Sequence, residues 1–493
     1  MIDPVKLPVL RAADKPQEHC GVIAVFDPQG LAAQLVQRGL SALQHRGQEA
    51  AGLSLVHSDH THQSLRGRGL VSQVLPVEKV ANLSAQRAIG HVRYSTVAVD
   101  HPDNVQPISL ATPYGSVALA HNGNLLQVPP LRAQLIAQGC TFATTMDSEV
   151  LLHLIAQRAE PDFVSALAQA ARSVRGAYSL SLLCDDKIYG LRDPIGLRPL
   201  VLGAFPTGGF AIASETCALT AMGARYIDEV LPGELVELRA DGVHRTQLLT
   251  PSVTVAPCVF ELIYFSRPDS VVFGQSAQQA RLAMGQALAQ QDEDLPPADL
   301  VIPVPDSGIA AAIGYARHSG IPFELALVRS HFVGRSFILP NQAERLSALE
   351  RKLSVIEASV TKKRVVVVDD SLVRGNTART IVKLLREGGA KEVWLRVASP
   401  PIAWIARPSN VIVPLNGSLT PAMVPRVLRK RSSSWTTWRP VSSSRSIINA
   451  RGRCRLARPA ASTRPSGEFC SSAAMTLSVT CPPSTSCQIL GIR

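Results

Sequence analysis

Between Cys20 and about residue 250, short apolar runs rich in β-formers alternate with two longer stretches of helical period. Segments 22–26, 179–183, 200–202 and 210–213 read as strands. Segments 31–43 and 147–157 read as helices, the second with Val150, Leu151, Leu154 and Ile155 at helical spacing. This mixture predicts an α+β fold with sheets packed between helices. After Pro257 the grammar becomes strand followed by helix: 300–304 before 308–318, and 364–368 before 376–387. Such alternation predicts a parallel α/β sheet that binds ligands at the C-terminal ends of its strands. The last 91 residues, from Ala403, have no sustained apolar period and carry Arg/Ser runs at 429–434 and 442–446. They are expected to be disordered or not selected to fold.

A chain of 493 residues has room for two ordinary domains and a further segment. The expected division is a leader over 1–19, one domain over 20–256, a second over 257–402, and a basic tail over 403–493. The formal net charge of +12 suggests an acidic partner until its location is considered. The tail holds 13 Lys and Arg against one acid, Glu468, which leaves 37 basic and 37 acidic side chains in the first 402 residues. The folded part is therefore neutral, and nucleic acid is not its expected partner.

Nine cysteines, five of them scattered singly at Cys20, Cys140, Cys184, Cys217 and Cys258, argue against a disulfide framework and for a reducing compartment. No run of about 18 apolar residues occurs, and the leader lacks the basic end and apolar core of a secretion signal. The expectation is a cytoplasmic protein without membrane attachment.

Cys20 directly precedes a strand. Cleavage before it would leave a thiol and a free α-amine on one residue. A thiol of pKa about 8.5 is mostly protonated at neutral pH, and an adjacent amine of pKa about 8 can take its proton. A lone cysteine is more often inert, and Asn122-Gly123-Asn124 by itself also reads as a turn. In the second half, the β-branched run 365–368 ends in Asp369-Asp370, and Ser371, Arg374, Gly375, Asn376 and Thr377 lead into a helix. Paired carboxylates at a strand end can accept from ribose hydroxyls and attract Mg²⁺. Loop amides and the helix N-terminus suit a phosphate.

The segments ALQHRGQEAAG (42–52), GHVRYST (90–96), AHNGNL (120–125) and MDSEVLLHLI (146–155) resemble those of class II glutamine amidotransferases, whose glutaminase is an N-terminal nucleophile hydrolase. VVVVDDSLVRGNT (365–377) is similar to the phosphoribosyl pyrophosphate fingerprint of type I phosphoribosyltransferases. Together with RDPIGLRPL (192–200), YFSRPDS (264–270), VIPVPDSG (301–308), FVGRSFI (332–338) and LLREGGAKEV (384–393), they resemble the amidophosphoribosyltransferases from Cys20 to about Ile402. The resemblance implies an αββα sandwich followed by a parallel-sheet phosphoribosyltransferase domain. It implies glutamine and phosphoribosyl pyrophosphate as substrates, and a homo-oligomer.

By the same resemblance Cys20 is the nucleophile, Arg93 holds the glutamine carboxylate and Asp147 its ammonium, and Asn122 with the Gly123 amide forms the oxyanion site. Ser307, Asp369 and Asp370 lie near Mg²⁺, residues 371–377 surround the 5′-phosphate, and Arg335, Lys352 and Arg329 belong to a loop closing over pyrophosphate. An internal ammonia passage is expected past residues 264–270.

His19 departs from the acidic residue common in relatives. The resemblance stops after Ile402, as a reading-frame shift near residue 403 would produce. That break bears on a 4Fe-4S cluster implied by the family. Cys258 matches one ligand, but four thiolates are needed. Cys454, Cys470, Cys481 and Cys487 show neither the matching context nor a close spacing, so this chain is expected not to build the cluster. Rival readings are a class II enzyme with another acceptor, an enzyme inactivated by its altered C-terminus, and a nucleic-acid-binding relative.

Overall fold

The first strand, β1 (Gly21–Phe26), shows why its sequence is apolar without interruption. Ile23 and Val25 point to one core, while Val22, Ala24 and Phe26 point to another. A strand covered on both faces has no solvent side, so alternation disappears. The computed structural model describes residues 20–94, 103–292, 297–330, 353–372 and 375–400. All fall in the first of the two units into which the chain divides, Met1–Leu415. The expectations placed on 1–19, Arg335, Lys352, Arg374, the Asn376 side chain and 403–493 lie outside the described residues.

β1 belongs to a seven-stranded sheet with β2 (Ala50–Val56), β3 (His62–Arg68), β4 (Arg87–Arg93), β9 (Val201–Ala204), β10 (Phe210–Ala213) and β11 (Arg225–Glu229), in the order β11-β9-β10-β1-β4-β2-β3. A six-stranded sheet combines β5 (Ile108–Thr112), β6 (Gly115–Leu126), β7 (Arg175–Cys184), β8 (Lys187–Arg192), β12 (Glu234–Arg239) and β13 (Gly242–Gln247), ordered β13-β12-β8-β7-β6-β5.

Val22, Ile89, Ala120, Leu183, Ile212 and Val236 fill the space between the sheets. Helices Ala32–Ala42 and Thr216–Met222 cover the outer face of the first sheet, and helices Asp147–Ala156 and Phe163–Ser173 that of the second. The layers are therefore α, β, β, α, as expected. Most elements fall within a residue or two of expectation, but β7 begins four residues before the expected 179, and Leu200 lies just before β9.

After the hairpin β14 (Val271–Val272) and β15 (Gln275–Ser276), a parallel sheet runs β16-β19-β20, from Leu300–Pro303, Arg364–Asp369 and Glu392–Val397. Val365 and Val367 face one core, Val366 and Val368 the other. β17 (Leu327–Arg329) and β18 (Leu353–Val355) form a separate antiparallel pair. Helices Ala277–Gln290 and Ile309–Ser319 meet backbone to backbone. A Cβ on Gly285 would fall 1.8 Å from the Ala311 carbonyl oxygen, and one on Gly314 would fall 2.0 Å from that of Leu282.

Candidate active sites

Antiparallel pairing sets Gly21 opposite Val92 and Ala50 opposite Arg93. Cys20, at the mouth of β1, and Arg93, at the end of β4, therefore share one edge of the first sheet. Both are buried, and none of the five described cysteines is in a disulfide.

The second sheet reaches this edge through β6. Asn122 and Gly123 sit inside that strand, paired with Ser179 and Tyr178, so the turn reading of Asn-Gly-Asn is corrected. Asn122 has no exposed surface, and among the described residues neither Nδ2 nor Oδ1 has a hydrogen-bond partner. Such a group costs about 1–3 kcal/mol in a folded protein, so its retention marks a place reserved for something else. At Gly123 the backbone has φ +152°, and a Cβ would fall 2.0 Å from the Ala177 carbonyl oxygen. Only glycine fits there.

Asp147 opens the helix Asp147–Ala156, where the helix dipole favours a carboxylate. Leu125 N–H donates to its Oδ2 at 2.7 Å and Ser148 N–H to its Oδ1 at 2.8 Å, with His121 Nδ1 3.7 Å away. Burial alone would raise its pKa. The charge of His121 and the backbone donors overcome this and lower it. Two buried histidines bridge the sheets, His91 Nε2 lying 3.2 Å from the His121 carbonyl oxygen. Burial pushes His91 down to about 3, so its ring is neutral near pH 7.

In the parallel sheet, Val304 N–H donates to the Val368 carbonyl at 2.8 Å, which brings the 304–308 turn against the end of β19. Ser307, which the resemblance implies to lie near Mg²⁺, is part of that turn. The Asp369 carboxyl is raised to about 7, first by burial and then by Asp370. Ser371 Oγ donates to Asp370 Oδ1, and the helix Asn376–Glu387 begins just beyond, with Thr377 in its first turn. Arg329 lies on β17 and donates to Asp306 Oδ2 at 2.6 Å. Two adjacent carboxylates suit Mg²⁺, which typically takes one or two and completes its shell with water and substrate phosphate.

Cys258, a cluster ligand implied by the resemblance, is buried. Its buried thiol accepts from Arg198 Nη1 at 3.6 Å, and burial raises its pKa. Among the described residues no group of three or more His, Cys, Asp or Glu is placed to hold a metal.

Between the two sites lies a charge cluster that motif reading missed. Arg46 is wholly buried against Glu215 and Glu261. Burial alone would lower its pKa, but Glu261 and then Glu215 raise it. Glu215 also accepts from Arg267 N–H at 2.9 Å and from Ser270 Oγ at 2.7 Å, so the 264–270 segment is fastened to the first half. Arg46 stands inside the quoted HRG string and Glu261 just before YFSRPDS. Their burial was the missing signal.

Residues 91–221 match the glutamine amidotransferase domain family. Over 390 residues the chain is 47% identical to amidophosphoribosyltransferase 1, chloroplastic, of Arabidopsis thaliana, covering 79% of this chain and 68% of that one. The chain belongs to the amidophosphoribosyltransferase family. A Synechocystis amidophosphoribosyltransferase is 45% identical over 399 residues, covering 79% of each chain. Among solved structures, the glutamine phosphoribosylpyrophosphate amidotransferase of B. subtilis, complexed with ADP and GMP, is similar with a TM-score of 0.71 and 41% identity, over 78% of this chain and 83% of that one. One described as the allosteric regulatory enzyme of purine biosynthesis has a TM-score of 0.72 and 41% identity, over 78% and 82%. Membership of this amidophosphoribosyltransferase family accounts for both halves at once, the sandwich edge and the aspartate corner. Among the described residues no helix is long and apolar enough to cross a membrane.

Proposed function

We propose that the chain transfers the amide nitrogen of glutamine to 5-phosphoribosyl 1-pyrophosphate, giving 5-phosphoribosylamine, pyrophosphate and glutamate, the first step of purine biosynthesis. The observation that carries this reading is the amide of Asn122, without a partner among the described residues, beside Gly123 in the layer facing the sheet edge of Cys20 and Arg93. A buried donor without a partner is what a developing oxyanion requires.

In this reading residues 20–256 form the glutaminase, 257–402 the acceptor domain, and removal of residues 1–19 exposes the Cys20 amine. That amine takes the thiol proton as sulfur attacks the glutamine amide carbon. The same proton then leaves on the departing ammonia. Water cleaves the resulting thioester to glutamate and restores the thiol. Arg93 and Asp147 hold the charged ends of the amino acid, and Asn122 with Gly123 stabilises the oxyanion.

Ammonia crosses past residues 264–270 and attacks C1 of the sugar, where pyrophosphate leaves with its electron pair. Asp369 and Asp370 hold the ribose hydroxyls and, with Ser307, would hold a Mg²⁺ ion that would neutralise phosphate charge. Ser371, Arg374, Gly375, Asn376 and Thr377 cradle the 5′-phosphate, and Arg335, Lys352 and Arg329 meet pyrophosphate. We place the enzyme in the cytosol as a homo-oligomer. The purified chain is expected to show no cluster absorption band, because Cys454, Cys470, Cys481 and Cys487 lack the context and close spacing of cluster ligands.

The test is N-terminal sequencing of purified protein together with assays of Cys20→Ser. Mature protein should begin at Cys20, and the variant should lose glutamine-driven pyrophosphate release while keeping that driven by ammonia. A Met1 start with full glutamine activity would refute the reading.

A further inference from the structure

Arg46 ends the 3-10 turn Gln44–Arg46, and all three of its guanidinium nitrogens are engaged. Nε donates to the Cys20 carbonyl at 3.1 Å. Nη2 donates to Glu261 Oε1 at 2.6 Å, while Nη1 donates to Glu261 Oε2 at 3.0 Å and to Glu215 Oε1. A two-pronged pair of this kind fixes the guanidinium in both position and plane. Glu261 opens the π-helical turn Glu261–Phe265, which lies on the acceptor side of residue 257. The Phe265 ring closes over the same guanidinium, its centroid 4.8 Å away.

This turn is itself held. Ser266 Oγ donates to Glu261 Oε2 at 2.8 Å. Arg281, buried on helix Ala277–Gln290, donates to the carbonyls of Leu262 at 2.9 Å and Ser266 at 2.6 Å. The carbonyl of the nucleophilic residue is thus fixed by an arginine whose own orientation depends on a carboxylate 215 residues further along.

We propose that Glu261 is a positioning residue of the glutaminase, contributed by the acceptor half: by locking the Arg46 fork it sets the carbonyl of Cys20, and with it the thiol. The inference rests on the function proposed above. Glu261→Gln replaces one oxygen of the pair with an amide NH2 that cannot accept from Arg46, removes the charge, and leaves the guanidinium free to tilt toward Glu215. A misplacement of about 1 Å at a reacting group lowers rates by about 10²-fold. Glu261 touches no substrate, so the consequence falls on turnover and not on glutamine affinity.

The experiment compares the full chain with Glu261→Gln and Ser266→Ala, measuring glutamate formation from glutamine and pyrophosphate release driven by ammonia. For Glu261→Gln we expect glutaminase kcat to fall by at least about tenfold with KM within about threefold, and ammonia-driven release to stay within about twofold. Ser266→Ala, which removes a single hydrogen bond to Glu261, should lower glutaminase kcat by about two- to fivefold and keeps the test informative if the first variant folds poorly. Unchanged glutaminase in Glu261→Gln, or an equal fall of both activities, overturns the inference. A wild-type chain that releases pyrophosphate with neither nitrogen donor defeats instead the underlying function, and the inference with it.

Discussion

Replacing Asn122 with leucine separates stability from activity. The side chain has no exposed surface and neither polar atom has a partner among the described residues, so the native fold carries an uncompensated cost of about 1–3 kcal/mol there. Leucine has nearly the same branching without the polar atoms, and an apolar replacement of the same shape relieves that cost. Asn122→Leu is therefore expected to be more stable than wild type by about 1–3 kcal/mol, or about 2–4 °C in Tm per kcal/mol for a domain of 150–250 residues. Losing one oxyanion donor should at the same time lower glutaminase kcat by about 10²–10³-fold. Urea denaturation and a glutamate-release assay on the same preparation measure the two effects. A variant less stable than wild type would show that Asn122 is already satisfied, for example by an ordered water. Activity within about threefold of wild type would remove it from the chemistry.

Further outcomes follow from the geometry at Gly123 and Asp369. Gly123→Ala places a methyl group 2.0 Å from the Ala177 carbonyl oxygen at φ +152°, so it should destabilise the sandwich by about 1–3 kcal/mol or more and abolish glutaminase activity; a normal denaturation midpoint would contradict this. Asp369→Asn should lose pyrophosphate release with both nitrogen donors while glutaminase persists, and in wild type the affinity for Mg²⁺ with phosphoribosyl pyrophosphate should rise as pH climbs through about 7, because below it a proton competes for that carboxyl. In the chain without ligand the sign on folding is opposite. The raised pKa gives stability that is full below 3.8 and lost as pH rises through about 7, and Asp369→Asn should remove that slope.

Legibility of the sequence followed the range of the interactions involved. Residues 210–213 and 376–387 were read with their observed bounds because apolar runs and helical period are local properties. The Asp369-Asp370 corner was legible for the same reason, since a β-branched strand ending in two acids announces where it stops. Asn122 was not, because Asn-Gly-Asn carries turn chemistry and becomes strand only through pairing with β7, more than fifty residues away. The Arg46, Glu215 and Glu261 cluster was least visible of all. Its members stand 169 and 215 residues apart, and no periodicity connects an HRG string to a glutamate before YFSRPDS.

The seat between helices Ala277–Gln290 and Ile309–Ser319 has a mechanical consequence. With bare peptide groups meeting at Gly285 and Gly314, there is no cushion of side chains to absorb sliding. One rod begins at the turn that carries Ser307, expected near Mg²⁺, and the other carries the arginine that clasps Leu262 and Ser266. Pushing on the first must drag the second, like two keys cut for a single lock.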